Sequence, residues 1–369
     1  MKSTAAIAYW PKQPLEVMEI DVAEPGPSEA LVEIMATGVC HTDAVMLDGQ
    51  NSKASFPAVL GHEGAGIVRE VGKDVQELEV GDHVIPLYGS ECRVCPNCTS
   101  GRTNLCWGIR DTREKGLMPD GGTRFSVEGD AIHHFMGTST FSNFTVVPEI
   151  ALAKIRTDAP LDKVCLLGCG VTTGIGAVIN DGEVKPGDTV AVFGLGAVGL
   201  SAIQGARLAG AAKIIGVDIN DAKMAIAKSM GATDFINPTE IEGRIVECIL
   251  DMTSGGVDVA LECTGNIDVM RQSLECCHVG WGTCVLMGVE GIGQELSIPP
   301  VLVRYGRTLK GSYFGGVRGR SELPKYVDWY MDGLIEIDAL ISHVMPITEI
   351  NTAFDLMRSG KSVRAVLTF

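Results

Sequence analysis

Four cysteines within fifteen residues, Cys92-x2-Cys95-x2-Cys98-x7-Cys106, are the densest concentration of reactive side chains in the chain. Thiolates at that spacing can wrap one tetrahedral zinc, each at ~2.3 Å, and with no coordination position left open the ion is structural. Pro96, Asn97, Ser100 and Gly101 supply the turns such a lobe needs. Four thiolates could also carry an iron–sulfur cluster, the alternative reading of the quartet. The remaining eight cysteines are scattered from Cys40 to Cys284. In a large chain of this kind a tight cluster points to metal rather than to disulfides.

A second set is dispersed. Cys40-His41-Thr42-Asp43 and Gly61-His62-Glu63 would each pass for ordinary core segments, because an isolated Cys or His is usually just packed. Joined with Leu167-Gly168-Cys169-Gly170 they propose two thiolates and one imidazole around another zinc. Three protein ligands leave a fourth position for water or an alcohol.

The third set is Gly194-Leu195-Gly196-Ala197-Val198-Gly199. Between a strand and a helix, its first glycine makes the tight turn and its second lets backbone approach a pyrophosphate. The third lets helix and strand pack closely. The helix N-terminus then turns free N–H groups and a positive dipole end toward the phosphates. Asp218 stands 24 residues after Gly194, near the ~20 expected of a ribose-binding carboxylate. A carboxylate there accepts hydrogen bonds from ribose hydroxyls and repels a 2′-phosphate, which favours NAD over NADP. A plain structural turn with a surface aspartate is the alternative.

These residues need elements to hold them. Residues 189–193 form an apolar, β-branched run typical of a strand buried on both faces, and 197–209 are patterned as a helix. A second buried strand is expected over 213–217, and further strands over 257–262, 283–287 and 308–312. Strands alternating with helices imply a parallel sheet with right-handed crossovers. The first 170 residues read instead as short strands broken by Gly and Pro, such as 30–34 and 65–71. Beyond about 315 the texture is mixed, with helices expected over 323–331 and 350–359.

Composition bounds the rest. A length of 369 residues suits about two domains. With 46% hydrophobic and 21% charged residues, disorder is excluded as the main state. The net charge of −16 argues against nucleic acid and against an anionic membrane as partners. No apolar stretch reaches the ~18 residues of a membrane span, and the N-terminus lacks a secretory pattern. A soluble, cytoplasmic protein is expected.

Longer strings add a resemblance. Gly61-His62-Glu63-x2-Gly66-x5-Gly72-x2-Val75 is similar to the zinc signature of the zinc-dependent medium-chain dehydrogenases. Lys115-Gly-Leu-Met-Pro-Asp120, Met136-Gly-Thr-Ser-Thr-Phe-Ser142 and Lys163-Val-Cys-Leu-Leu-Gly-Cys-Gly170 resemble the class III alcohol dehydrogenases, the glutathione-dependent formaldehyde dehydrogenases. The resemblance runs essentially end to end. It implies an α/β fold: a GroES-like, β-rich catalytic domain over 1–171 and 315–369, and an inserted Rossmann coenzyme domain over 172–314. The structural zinc lobe would occupy 90–110, the active site would lie in the cleft, and a homodimer would form through the 283–313 edge of the coenzyme sheet.

Residue by residue, the resemblance implies that Cys40, His62 and Cys169 hold catalytic zinc, with Glu63 behind it and able to enter its coordination. Asp43 would orient His62, and Thr42 would take the alcohol's proton. Relatives often place a His three residues after Thr42; Val45 stands there, so the last proton step would use bulk water or buffer. His41 and Arg364 would touch the pyrophosphate, although Arg364 and Lys223 are surface-type residues. Thr173 would pack against the nicotinamide and Val289 would bind the cofactor, with Asp218 and Lys223 on the adenosine ribose. The implied reaction is reversible oxidation of primary alcohols to aldehydes by hydride transfer to NAD, with two zinc ions per chain. In class III relatives an acidic loop pair and several basic residues hold the glutathione adduct of formaldehyde. Here the loop reads Gly49-Gln-Asn-Ser-Lys53, so the pair becomes Asn51 and Lys53; Val279 replaces one basic residue, and Arg110 remains. Free, hydrophobic long-chain or aromatic alcohols are therefore expected, with S-(hydroxymethyl)glutathione as the alternative substrate. Two other classes compete: a zinc-ribbon module binding nucleic acid, opposed by the charge, and a retired dinucleotide-binding regulator, opposed by the presence of Cys40, Thr42, His62 and Cys169.

Overall fold

The computed structural model describes residues 1–50 and 55–369. Asn51 and Lys53 lie outside the described residues. The chain forms two compact units, Met1–Cys169 with Arg318–Phe369, and Gly170–Val317.

The first unit is built from β-structure. Lys2–Ala8, Glu16–Val22, Phe125–Val127, Asp130–His134 and Ala58–Val59 close into a barrel. Ile7, Ile20, Phe125, Ile132 and Phe141 fill its core. Beside it runs a sheet whose hub is the long strand Glu29–Gly38. That strand pairs with Glu63–Val71, Phe144–Pro148 and Arg364–Thr368. Register decides what meets at its end. Gly38 lies opposite Glu63 on one side and opposite Val366 on the other. Cys40, His62, Glu63 and Arg364 are therefore all within two residues of one crossing point. A side chain at Gly38 would put its Cβ 2.4 Å from a Glu63 oxygen, so only glycine fits there.

The second unit carries a six-stranded parallel sheet. Its spatial order is Asp234–Ile236, Lys213–Val217, Thr189–Phe193, Val259–Glu262, Thr283–Leu286, Thr308–Gly311, or 3-2-1-4-5-6 in chain order. This is the doubly wound arrangement whose ligand site lies at the strands' C-terminal ends, where the order reverses. The helix Ala197–Leu208 follows the first strand directly.

Local differences from the sequence reading have local causes. The strand expected from 257 begins at Val259, because Val257 makes only an isolated bridge to Cys277. The helix expected from 323 begins at Gly319, where Glu322 reaches back to accept from the Arg318 N–H. The three-residue strand Asp234–Ile236 is too short to show a period. Among the described residues, no single helix is long and apolar enough to cross a membrane.

The glycine turn gives a direct test. A Cβ at Gly199 would lie 1.8 Å from the Gly194 carbonyl oxygen, whereas one at Gly196 would meet nothing within 4 Å. Gly199→Ala is expected to destabilise the unit by about 1–3 kcal/mol. Gly196→Ala should unfold at the same denaturant midpoint as the unmodified chain, as chemical denaturation followed by fluorescence would show.

Candidate active site

The cysteine quartet folds as its own lobe. Cys95 caps the single helical turn Pro96–Thr99, and a 3-10 turn, Thr103–Leu105, leads to Cys106. The four sulfurs lie within 4.8 Å of one another, with Cys92–Cys98 and Cys95–Cys106 both at 3.9 Å. Four ligands ~2.3 Å from one tetrahedral ion stand ~3.8 Å apart. The cage thus fits a single ion and is too tight for a multi-iron cluster. Backbone N–H groups of Cys92 and Gly108 donate to Cys106 Sγ, and that of Cys95 donates to Cys92 Sγ. Such donors favour the thiolate form that a metal requires.

The second site lies where the strands cross. Cys40 precedes the helix His41–Leu47, whose first turn carries Thr42 and Asp43. Asp43 is fully buried and accepts three hydrogen bonds. One comes from the Cys40 N–H at 3.2 Å, one from the Gly61 N–H at 3.0 Å, and one from His62 Nδ1 at 3.0 Å. With Nδ1 carrying the proton, Nε2 presents its lone pair. That nitrogen is buried and has no hydrogen-bond partner. Ligand atoms of Cys40, His62, Glu63 and Cys169 all lie within 4.8 Å of one another. Tyr88 and Phe135 wall the imidazole with their rings in edge contact.

The electrostatics are those of a metal site. A hydrogen bond from Cys169 holds Cys40 well below the usual thiol range against the opposing effect of burial, helped by Arg364 and His62. Cys169 is pushed well up by the same bond and by burial. Burial pushes Glu63 up to about 7 despite the attraction of Arg364. Arg364 is not at the surface, as its residue type suggested; its strand lies inside the sheet. Its guanidinium grips both Glu63 oxygens at 3.1 and 3.2 Å, and Nη2 stands 3.6 Å from Cys40 Sγ. Two thiols, one unpartnered imidazole nitrogen and a nearby carboxylate are the donor set of an open zinc site.

In the second unit Gly194, Asp218 and Val289 follow the C-terminal ends of three strands. Gly194 has φ +86°, conformationally the tight turn. Asp218 follows Lys213–Val217 and accepts from the Leu195 N–H at 2.6 Å and the Asn220 N–H at 2.9 Å. Lys223 opens the helix Lys223–Met230. Val289, exposed, follows Thr283–Leu286. Thr173 lies on the helix Gly170–Gly176 with its hydroxyl buried and unpartnered. The open space at Gly196 and the glycine turn at the strand end fit a dinucleotide.

His41 is exposed and Thr42 half-buried. Arg110 opens the short helix Arg110–Arg113 and donates through Nε to Glu114 at 3.0 Å. Sequence reading missed Glu114, although the i,i+4 spacing signals the pair. It also missed a cavity of about 210 Å³ lined by Met46, Ser55, Arg113, Glu114, Phe135 and Met136, which only packing creates.

A β-barrel unit with an open zinc-type site, together with a doubly wound dinucleotide unit, defines a zinc-dependent dehydrogenase. Residues 26–157 match the alcohol dehydrogenase GroES-like domain family, and 197–332 the zinc-binding dehydrogenase family. The chain belongs to the zinc-binding alcohol dehydrogenases and is an oxidoreductase. It is 54% identical, over the whole length of both chains, to the class-3 alcohol dehydrogenase of Cereibacter sphaeroides. The same identity and full coverage hold for the S-(hydroxymethyl)glutathione dehydrogenase of Escherichia coli. The crystal structure of benzyl alcohol dehydrogenase from Acinetobacter calcoaceticus matches with a TM-score of 0.93 at 32% identity, covering 100% of this chain and 99% of that one.

The two metal sites should respond differently to mutation. Cys98→Ser is expected to release the lobe's ion and to lower the melting temperature by several degrees, because structural metal binding is coupled to folding. Cys169→Ser should abolish turnover with a much smaller thermal shift. Elemental analysis of the unmodified protein should find two zinc ions per chain; one zinc, or iron, would overturn the assignment.

Proposed function

We propose that the first unit is the catalytic domain, with its zinc lobe around 90–110, and the second the coenzyme domain of an NAD-dependent alcohol dehydrogenase acting on free primary alcohols. The observation that carries this reading is the buried, unpartnered His62 Nε2 facing the thiols of Cys40 and Cys169. Those three residues would hold the catalytic zinc, which supplies Lewis acidity that lowers an alcohol's pKa toward neutrality. Asp43 fixes the imidazole's tautomer and orientation. Glu63 stands behind the ligands as a carboxylate close enough to join them, its charge meanwhile held by Arg364. Thr42 Oγ1 accepts the alcohol's proton and passes it on. His41 and Arg364 are assigned to the pyrophosphate, Thr173 and Val289 to the nicotinamide half, and Asp218 and Lys223 to the adenosine ribose. Gly194, Gly196 and Gly199 keep the backbone clear for the phosphates.

Twelve free cysteines suit a reducing compartment, which supports a cytoplasmic location. The exposed edge strand Thr308–Gly311 is the surface assigned to a homodimer.

Asp218 should set cofactor choice, because a carboxylate facing a 2′-phosphate places like charges together. Asp218→Ser is expected to raise KM for NAD by about tenfold and to narrow the preference over NADP. Equal kcat/KM for both cofactors in the unmodified enzyme would show that Asp218 does not face the ribose.

The substrate follows from charge. Arg110 is already paired with Glu114, and position 279 carries an exposed valine. Val279 offers no cation to the glutathione carboxylates and Arg110 shares its charge with Glu114, while Met46, Phe135 and Met136 give hydrocarbon an apolar side of the cavity that Ser55, Arg113 and Glu114 also line. The second reading, oxidation of S-(hydroxymethyl)glutathione, is favoured by the name and the 54% identity of the E. coli relative. Steady-state assays of NADH formation distinguish them. We expect octanol or benzyl alcohol to exceed the glutathione adduct in kcat/KM by about tenfold or more; a clear win for the adduct would establish the second reading.

A further inference from the structure

Glu262 is the last residue of Val259–Glu262 and is fully buried. Among the described residues no lysine or arginine pairs with it. Its carboxylate is instead surrounded by donors from the loop that follows. Oε1 accepts from the Thr264 N–H at 2.6 Å, from the Thr264 hydroxyl, and from the Gly265 N–H at 3.0 Å; Oε2 takes a longer bond from the Gly265 N–H at 3.4 Å. The Glu262 backbone carbonyl accepts from the N–H groups of Met287 and Gly288, which begin the loop after the neighbouring strand. The two loops touch closely. A Cβ on Gly288 would lie 2.0 Å from the Gly265 nitrogen and 2.6 Å from Glu262 Oε2. One on Gly265 would lie 2.2 Å from the Val289 carbonyl oxygen. On the other side, the Thr264 methyl packs on the glycine turn, where a Cβ at Gly194 would meet it at 2.6 Å. One carboxylate therefore organises three adjoining segments: the turn at Gly194, the loop at Thr264–Gly265 and the loop at Gly288–Val289.

We infer that Glu262 is a positioning residue for the dinucleotide, holding in contact the two loops along whose joined edge the nicotinamide half is laid. This deepens the coenzyme reading above and rests on it. The physical reason is the alternative. Without the carboxylate, two buried N–H groups and a hydroxyl lose their acceptor, and the loop must turn them outward to find water. That motion withdraws the Thr264 methyl from Gly194 and frees Gly288 to shift, so the joined loops lose their shape while the strands beneath remain.

The test compares Glu262→Ala, Glu262→Gln and Thr264→Val in the zinc-loaded full chain. NADH binding is read by fluorescence titration, loop opening by amide deuterium exchange without cofactor, and folding by melting temperature. Glu262→Ala is expected to weaken NADH binding by about tenfold or more, with faster exchange confined to 263–266 and 287–290. Glu262→Gln keeps one carbonyl oxygen for Thr264 and Gly265 and should recover most of the affinity. Thr264→Val keeps the methyl contact and loses only the hydroxyl, so a loss of about two- to fivefold is expected. KM for the alcohol should change little beside KM for NAD. If both glutamate variants bind NADH as the unmodified chain does and only melt earlier, the proposal is overturned and Glu262 is merely structural. An unmodified chain that binds neither NADH nor NADPH would overturn the coenzyme reading itself, and the proposal with it.

Discussion

Asp43 offers one carboxylate, and three donors from two separate segments converge on it: the Cys40 N–H, the Gly61 N–H and His62 Nδ1. The open metal site depends on this convergence. Hydrogen bonds to a buried charge are worth about 1.5–3 kcal/mol each, and here they tie the start of a helix to the start of a strand. Neither segment could place its ligand alone. The helix supplies a sulfur at its N-cap, whose N–H has no intrahelical acceptor and is held by Asp43 instead. The strand supplies an imidazole whose free nitrogen points inward only while the other is held. Gly61, at φ +91°, makes that entry feasible, since a Cβ there would strike the Phe141 nitrogen at 2.6 Å.

Around this point the charges are arranged to be satisfied in more than one way. Glu63 and Arg364 form a fully enclosed pair beside the two cysteines, and the arginine also reaches Cys40. Removing one partner of such a pair would leave an uncompensated buried charge, which is far more costly than the pair is stabilising. The arginine thus belongs to the site's electrostatics as much as to any phosphate. Its strand, Arg364–Thr368, returns from the end of the chain to pair with Glu29–Gly38. The chain's C-terminal segment is in this way a structural part of the metal site.

The dinucleotide unit solves a different problem, close approach without collision. Gly199 clears the Gly194 carbonyl, Gly265 clears the Val289 carbonyl, and Gly288 clears Glu262. Asp218 has a comparable double duty. Its two oxygens fix the Leu195 and Asn220 N–H groups, so the carboxylate proposed for the ribose also braces the glycine turn.

The sequence by itself determined what depends on short-range spacing. The quartet Cys92–Cys106 is local, so ligand count and geometry follow from fifteen residues. The runs 189–193 and 213–217 coincide with observed strands because strands buried on both faces must be continuously apolar. Cys40, His62 and Cys169 could be proposed from the sequence by donor type and by resemblance, but no periodicity links positions so far apart. Their meeting within 4.8 Å was decided by tertiary structure, through strand register and the Asp43 carboxylate. Tertiary structure alone placed Arg364 inside the sheet, where residue type suggested solvent, because pairing of its strand with a central one leaves no route outward. It alone showed Arg110 already engaged by Glu114, and Glu262 ringed by backbone donors. Residue type states what a side chain can donate or accept; only the fold decides which partner is within reach.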